Sequence, residues 1–240
     1  MVSRITYDNN YQGYKINTNK DKGYGCFEKA LSVYHAHLND MCNKHNKVWQ
    51  QRFDLRYPAD GSIKPDPKHR HTFSENLTKD LKRNFPLKEF SDKSKDKPKN
   101  KNQHYTDPRL VMVCEEGKTS EKVHIHGLVL VNGNAKRNSK DIFTRIERQW
   151  ANALNIEEAK GLVDYCNKSG PNSYMLNRND SDFEQKLNDA SHQASYLAKV
   201  RDKDGLPKGQ WMVSATRLPR DSKIASNYNN NNPSDEVENV

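Results

Sequence analysis

Two histidines separated by one residue, His124 and His126, are the first candidates for chemistry in this chain. They begin an apolar run from Val123 to Val131. A similar run, Leu110 to Cys114, precedes it across a polar, glycine-containing stretch, and this pattern predicts a β-hairpin. Because the side chains of a strand alternate between its faces, both imidazoles project from the same side. Two neutral imidazoles placed in this way can share one divalent metal ion.

Two adjacent glutamates, Glu115 and Glu116, lie at the end of the first run of this hairpin. One of them must point to the histidine side, so the hairpin predicts a His–His–carboxylate site with positions left for water and substrate. In a chain with nine histidines, a His–X–His sequence can also arise by chance. The predicted strand and the nearby carboxylates favour the metal site.

Further along the chain, Tyr196 and Lys199 could supply a nucleophile and a neighbouring cation. They lie three residues apart in a predicted helix, Phe183 to about Val200, and therefore share one helix face. A free phenol has a pKa of about 10, so a tyrosine nucleophile needs help at neutral pH. The lysine could favour the phenolate or orient a phosphate. The alternative is an amphipathic pair at a helix surface. His192, one turn earlier, could be an accessory ligand or contact a phosphate.

Four motifs in a fixed order resemble a known family. A histidine strand followed by a helical Tyr-X-X-Lys is similar to the HUH endonucleases, in the order used by rolling-circle replication initiators. The whole set resembles the inovirus-type replication proteins of the YagK/YfjJ C-terminal-domain group, over roughly residues 25 to 217. The motifs are Arg52–Pro58, the His124 segment, Tyr174–Asp180 and Ser195–Lys199.

The resemblance implies a fold, a cofactor and a reaction. The fold would be the HUH endonuclease fold, a central antiparallel sheet with the histidines on a middle strand and the tyrosine helix against it. The two histidines and Glu116 would hold Mg²⁺ or Mn²⁺, and Glu116 is favoured because its spacing to His124 matches the family. A shifted hairpin register would substitute Glu115. Tyr196, helped by Lys199, would nick DNA through a covalent 5′-phosphotyrosine.

The implied function is initiation of rolling-circle replication by nicking and rejoining single-stranded or origin DNA. Single-tyrosine transposases and mobilisation relaxases share this chemistry, and a DNA-binding regulator on the same fold without catalysis is a further alternative. Val200 stands where two-tyrosine initiators carry their second tyrosine, which indicates a single nucleophile. Met112 stands where a Walker loop ending in Gly117-Lys118-Thr119 needs its first glycine, so the helicase, like the polymerase, would be a separate host protein.

The charge of the chain favours a nucleic-acid partner. Forty lysines and arginines against 31 acidic residues give a net charge of +9, and the obvious polyanion is DNA. On a predicted strand, Val48 to Pro58, Arg52 and Arg56 share a polar face that suits DNA phosphates, or else forms the solvated face of an edge strand. Four cysteines without metal-binding spacing, and no signal peptide or membrane-length apolar run, lead us to expect a cytoplasmic protein without a membrane partner.

Strands interrupted by amphipathic helices predict an α/β sandwich of the α+β class, with one mostly antiparallel sheet flanked by helices. Residues 1–22 are expected to form an irregular N-terminal arm and residues 23–220 the endonuclease domain, with a lysine-rich insertion at 91–103. Residues 221–240 are expected to be a disordered, asparagine-rich tail. Three histidines of the first predicted helix are expected at the surface: His35, His37 and His45.

Overall fold

The computed structural model describes residues 4–84, 105–116, 123–135, 139–167, 170–200, 213–218 and 238–239. The predicted lysine-rich insertion at 91–103 lies outside the described residues, and so does the predicted tail at 221–240 apart from 238–239.

The N-terminal residues differ from the predicted irregular arm. Strand β1 (Ile5–Thr6) pairs with β4 (Cys26–Phe27), and β2 (Asn10–Tyr11) forms a hairpin with β3 (Tyr14–Lys15). The side chain of Ile16 is buried, and the backbone N–H of Asn17 donates a hydrogen bond of 2.7 Å to Oγ of Ser195. These strands are too short for an apolar period to show in the sequence, and distant contacts hold them in place.

A sheet of seven strands forms the centre of the molecule. In addition to the four short N-terminal strands, the structure contains β5 (Lys47–Arg56), β6 (Arg109–Glu116), β7 (Val123–Asn132), β8 (Val163–Asp164), β9 (Ser173–Asn177), β10 (Val213–Ala215) and β11 (Glu238–Asn239). The sheet order is β11-β10-β6-β7-β5-β8, with β9 also paired to β5. Every pair is antiparallel except β10 with β11. The histidine strand β7 is therefore a middle strand.

Helices cover both faces of this sheet. They are α1 (Glu28–Lys44), α2 (Pro67–Asn84), α3 (Ser139–Leu154) and α4 (Phe183–Ala194). Alternate residues of β7 serve the two faces: Leu128 and Leu130 pack toward α1 and α4, whereas Ile125 and Val129 pack toward α2 and α3. The predicted α+β fold with a mostly antiparallel sheet is confirmed. None of the helices in the described ranges is both long and apolar enough to cross a membrane.

The tyrosine-bearing helix is shorter than predicted. The α-helix ends at Ala194, and Ser195–Ala198 continue as a 3-10 segment, after which Lys199 adopts extended backbone. Side chains three residues apart eclipse each other in a 3-10 helix. Tyr196 and Lys199 therefore remain on one side of the chain, although the α-helix that the sequence predicts through Val200 has already ended.

Helix α1 lies between the sheet and the N-terminal hairpin, and this changes the positions of its histidines. His35 and His37 are buried rather than at the surface. Nε2 of His45 lies 3.2 Å from Oδ2 of Asp107, so this histidine has a carboxylate partner far away in sequence. The prediction of three surface histidines fails because their partners come from distant parts of the chain: the N-terminal hairpin and α4 for His35, the residue after β10 for His37, and the residues before β6 for His45.

Candidate active site

The register of the hairpin decides which glutamate lies on the histidine face. His124 is paired with Glu115, whereas Glu116 is paired with Val123. Directly paired residues of antiparallel strands share a face, so Glu115 is the cross-strand neighbour of the two histidines. Glu116 occupies a register position of the opposite face, which differs from the ligand expected on the resemblance. A slip of one residue exchanges the two faces, and the sequence alone leaves that slip open.

The imidazole of His126 lies between two carboxylates. Its Nδ1 donates a hydrogen bond of 2.7 Å to Oδ1 of Asp54, and its Nε2 lies 3.1 Å from Oε2 of Glu115. Burial lowers the pKa of His126, but the two carboxylates outweigh it and the pKa is raised. For Asp54 the balance runs the other way. Burial raises the pKa of this carboxyl group, but the hydrogen bond from His126 and the charges of His126 and Arg52 lower it to about 2.

Sequence reasoning did not identify Asp54 as a site residue. The available signal is the alternation of polar residues on β5, where Asp54 stands between Arg52 and Arg56 on the same face. That pattern places a carboxylate on the polar face. It does not tell which strand lies beside β5, and the pairing of Asp54 with His126 gives the residue its place in the site.

His124 lies at the outer end of the same face and is half-buried. On the neighbouring strand β5, its paired residue is Arg56. Burial, followed by the charges of His126 and Arg56, lowers the pKa of His124, so a neutral imidazole is favoured there. Arg56 is exposed, and its guanidinium forms an ion pair of 2.9 Å with Asp164.

Tyr196 meets this cluster from the 3-10 segment. Its ring stands edge-on to that of His126, with 5.6 Å between the centroids and 86° between the planes. The guanidinium carbon of Arg52 lies 4.1 Å from the centre of the tyrosine ring, and Nζ of Lys199 lies 4.6 Å from it. The side chain is 37% exposed, so a substrate can reach it. The structure thus brings together Tyr196, Lys199, Arg52 and His126, which come from three separate parts of the sequence.

Arg52 and His192, which the sequence predicts to bind DNA, differ in how far they are buried. Arg52 is only 8% exposed and lies 3.5 Å from Asp54, so it joins the buried cluster instead of forming an open phosphate contact. His192 is partly buried one turn before Tyr196. Burial, and then the charges of Lys15 and Lys199, lower the pKa of His192.

The donor atoms at this site are suited to a divalent cation. Nε2 of His126 is buried and, within the described ranges, has no partner of hydrogen-bond geometry, although Glu115 lies 3.1 Å away. Two ligand atoms each about 2.1 Å from one ion and at right angles to each other are about 3 Å apart. The bond from Nδ1 to Asp54 fixes the orientation of the ring, as an outer contact would do for a histidine that bound a metal. In the part of the chain that the structure describes, no three His, Cys, Asp or Glu side chains are yet gathered to hold an ion.

Comparison with known proteins identifies a family. Residues 8–208 match the family described as YagK/YfjJ C-terminal domain, and this range contains every site residue described above. Neither the curated proteins nor the solved structures gave a match. Since the match extends over most of the chain, this protein belongs to the YagK/YfjJ C-terminal domain family.

Proposed function

We propose that this protein is a metal-dependent, site-specific endonuclease and ligase for single-stranded DNA, which initiates rolling-circle replication through a covalent 5′-phosphotyrosine. The position of Tyr196 carries the proposal: its accessible ring stands edge-on to His126, with Arg52 and Lys199 against it. Core packing alone does not require an exposed phenol surrounded by a histidine and two cations. The resemblance to HUH endonucleases supports the same conclusion.

The reaction is a transesterification at phosphorus. The phenol oxygen of Tyr196 attacks the scissile phosphodiester, the bond from phosphorus to the 3′ oxygen breaks, and the 5′ phosphate remains on the tyrosine. The tyrosine proton is lost and the released 3′ oxygen gains one, so no proton is consumed overall. Attack of a 3′ hydroxyl on the phosphotyrosine reverses these steps. Because one phosphoester replaces another, rejoining needs no separate energy source.

The neighbouring side chains have distinct roles in this proposal. Lys199 offsets the negative charge that develops at the phosphate, and the buried Arg52 adds positive charge against the ring of the nucleophile. Asp54 fixes Arg52 and His126 at once, because it lies 3.5 Å from one and 2.7 Å from the other. Mg²⁺ or Mn²⁺ bound by His124, His126 and Glu115 would supply Lewis-acid polarisation of the phosphate.

DNA itself would be held largely by charge. The net charge of +9 favours a polyanion, and Arg56 and His192 lie near the tyrosine and the histidine strand, where they could contact the DNA backbone. Strand separation and synthesis would be left to separate helicase and polymerase proteins. A single-tyrosine transposase or mobilisation relaxase would use the same residues, and the DNA substrate that is cleaved would distinguish these enzymes.

A DNA-binding regulator without catalysis is the second candidate. One observation favours it: among the described residues, no three potential metal ligands are already gathered around one point. In that case the cluster around His126 would be a buried ionic network with a structural role.

The test is formation of a covalent adduct. The protein is incubated with a labelled pool of single-stranded oligonucleotides and Mn²⁺, and denaturing gels are examined for DNA attached to protein. Tyr196→Phe should bind the pool as the parent does but reduce the adduct to background. The matched control is Tyr165→Phe, because Tyr165 is 39% exposed and stacks on Phe143, which belongs to the other face of the sheet. This variant should retain the adduct.

Two results would contradict the proposal in different ways. An adduct that persists in Tyr196→Phe would mean that another residue is the nucleophile. If the parent protein binds the pool tightly but forms no adduct with Mg²⁺ or Mn²⁺, the regulator becomes the better explanation.

A further inference from the structure

A second exposed tyrosine shares the lysine of the candidate active site. The ring of Tyr24 is 41% exposed, and Nζ of Lys199 lies 5.8 Å from its centre and 4.6 Å from the centre of the Tyr196 ring. One ammonium group is therefore within cation–π range of two accessible aromatic rings. Neither the histidine hairpin nor the chemistry at Tyr196 accounts for the exposed aromatic side chain at residue 24.

The backbone holds Tyr24 firmly beside the segment that carries Lys199. Tyr24 and Asn19 exchange two backbone hydrogen bonds of 2.8 and 2.9 Å, which close a turn containing Gly23 at a φ of +67°. The next carbonyl, that of Gly25, accepts a hydrogen bond of 3.0 Å from the N–H of Val200. Cys26 then forms an antiparallel bridge with Lys199. The turn and the segment after Tyr196 are thus fixed to each other before any ligand binds.

The chemistry of this surface matches a nucleotide. A base can stack on an exposed aromatic ring while its phosphate approaches a nearby ammonium, and this combination is common in proteins that bind single strands. Lys20 and Lys22 are exposed on the same turn and add positive charge.

We propose that Tyr24 is a positioning residue: a base of single-stranded DNA stacks on its ring, and this contact places the neighbouring phosphate at Lys199 and Tyr196. The inference rests on the proposed function for its purpose, but its binding step can be measured without any cleavage. It assigns a role to a residue outside the four motifs, just after the segment that the sequence predicts as an irregular arm.

The experiment measures binding of a short, fluorescein-labelled oligothymidylate by anisotropy, in the Tyr196→Phe background and without metal, so that no cleavage occurs. Tyr24→Ala should weaken binding by about 5- to 150-fold, the range of one lost stacking contact. Tyr24→Phe should stay within about twofold of the background protein, because stacking needs only the ring.

Two controls separate stacking from a general loss of affinity. Tyr105→Ala removes a tyrosine that is 65% exposed near the start of β6, at the opposite end of this strand from Glu115, and it should not alter binding. An abasic oligonucleotide of the same length should bind equally to the background protein and to Tyr24→Ala, because it has no base to stack. Thermal unfolding checks that each variant remains folded.

The inference is overturned if Tyr24→Ala binds oligothymidylate as the background protein does, or if the loss is as large with the abasic strand. It is also overturned if the background protein does not bind oligothymidylate at low salt. A parent protein that forms no adduct, combined with a base-dependent loss in Tyr24→Ala, would reject the nuclease but keep the stacking residue. An adduct in the parent with no effect of Tyr24→Ala would do the reverse.

Discussion

At the scale of single residues, Asp54 connects the two halves of the candidate site. It accepts a hydrogen bond of 2.7 Å from His126 and lies 3.5 Å from Arg52, whose guanidinium packs on Tyr196. His126 and Arg52 are buried and Asp54 is mostly so, and a buried charge without its partner is costly. Loss of Asp54 would therefore disturb the histidine and the arginine together. The carboxylate acts through both neighbours and does not itself reach the tyrosine ring in this arrangement.

The two adjacent glutamates allow a sharp test of the hairpin register. Glu115 is paired with His124 and lies 3.1 Å from His126, whereas Glu116 is paired with Val123. Glu115→Gln should weaken Mn²⁺ binding by about tenfold or more, because even an outer partner of a ligand is worth 10- to 100-fold. The matched variant, Glu116→Gln, should stay within about twofold. Isothermal titration calorimetry of both variants makes the comparison, and the opposite ranking would restore the glutamate favoured by the resemblance.

How much of the site the sequence could predict depends on the kind of contact. Residues related within one element, such as His124 with His126 or Tyr196 with Lys199, follow from the spacing along a strand or a helix. The choice of Glu115 depends on register, and the role of Asp54 depends on which strand lies beside β7. A slip of one residue in the hairpin would exchange Glu115 for Glu116, and Asp54 meets a histidine that lies 72 residues further along the chain. Local patterns encode neither of these pairings.

At the scale of elements, a ring of β5 lies over a glycine of β7, where a larger residue would leave no room for it. Gly127 follows His126 and is paired with Phe53. A Cβ built on this glycine would lie 2.1 Å from Cζ of the Phe53 ring, which is fully buried. The ring of the phenylalanine thus covers the glycine from the α2 and α3 side. The next pair along these two strands is Asp54 with His126, and its side chains lie on the opposite face of the sheet. The contact between Phe53 and Gly127 therefore helps to fix this pair.

Gly127→Ala should therefore destabilise the protein. The added methyl group would push against the Phe53 ring in a packed core, and such overpacking costs about 1–3 kcal/mol of unfolding free energy. Chemical unfolding by urea, followed by circular dichroism, measures the change. Phe53→Leu provides room for the methyl group, so the double variant should lose less stability than the sum of the two single losses. Strict additivity would show that the two residues do not press on each other.

At the scale of the whole molecule, the N-terminal strands complete the layer that contains α1 and α4. His35 of α1 is enclosed by three tyrosine rings, those of Tyr11, Tyr14 and Tyr34, and its Nε2 shares a hydrogen bond of 2.9 Å with Oγ of Ser191. The surrounding residues come from the N-terminal hairpin, α1 and α4. From the sequence, His35 resembles a surface histidine, because its partners lie up to 156 residues away.

The enclosure of His35 should make the stability of the protein sensitive to acid. Burial lowers its pKa from 6.5 to about 3, so the folded protein keeps this imidazole neutral under conditions in which the unfolded chain protonates it. Because the unfolded state then binds more protons, the free energy of unfolding is highest above pH 6.5 and falls as the pH approaches about 3. Between about pH 7 and pH 5, the loss from this one residue should be about 2 kcal/mol.

Urea unfolding at these two pH values tests this expectation in three proteins. His35→Gln can keep a hydrogen bond to Ser191 but does not titrate, so its stability should fall by about 2 kcal/mol less than that of the parent protein between the two conditions. His71→Gln is the control for removal of a histidine outside this enclosure, because that side chain is exposed on α2. The buried His37 is present in all three proteins and cancels in the comparison. Equal losses of stability in the parent and His35→Gln on acidification would contradict this expectation. They would mean that the N-terminal strands do not exclude water from the imidazole of His35 in solution.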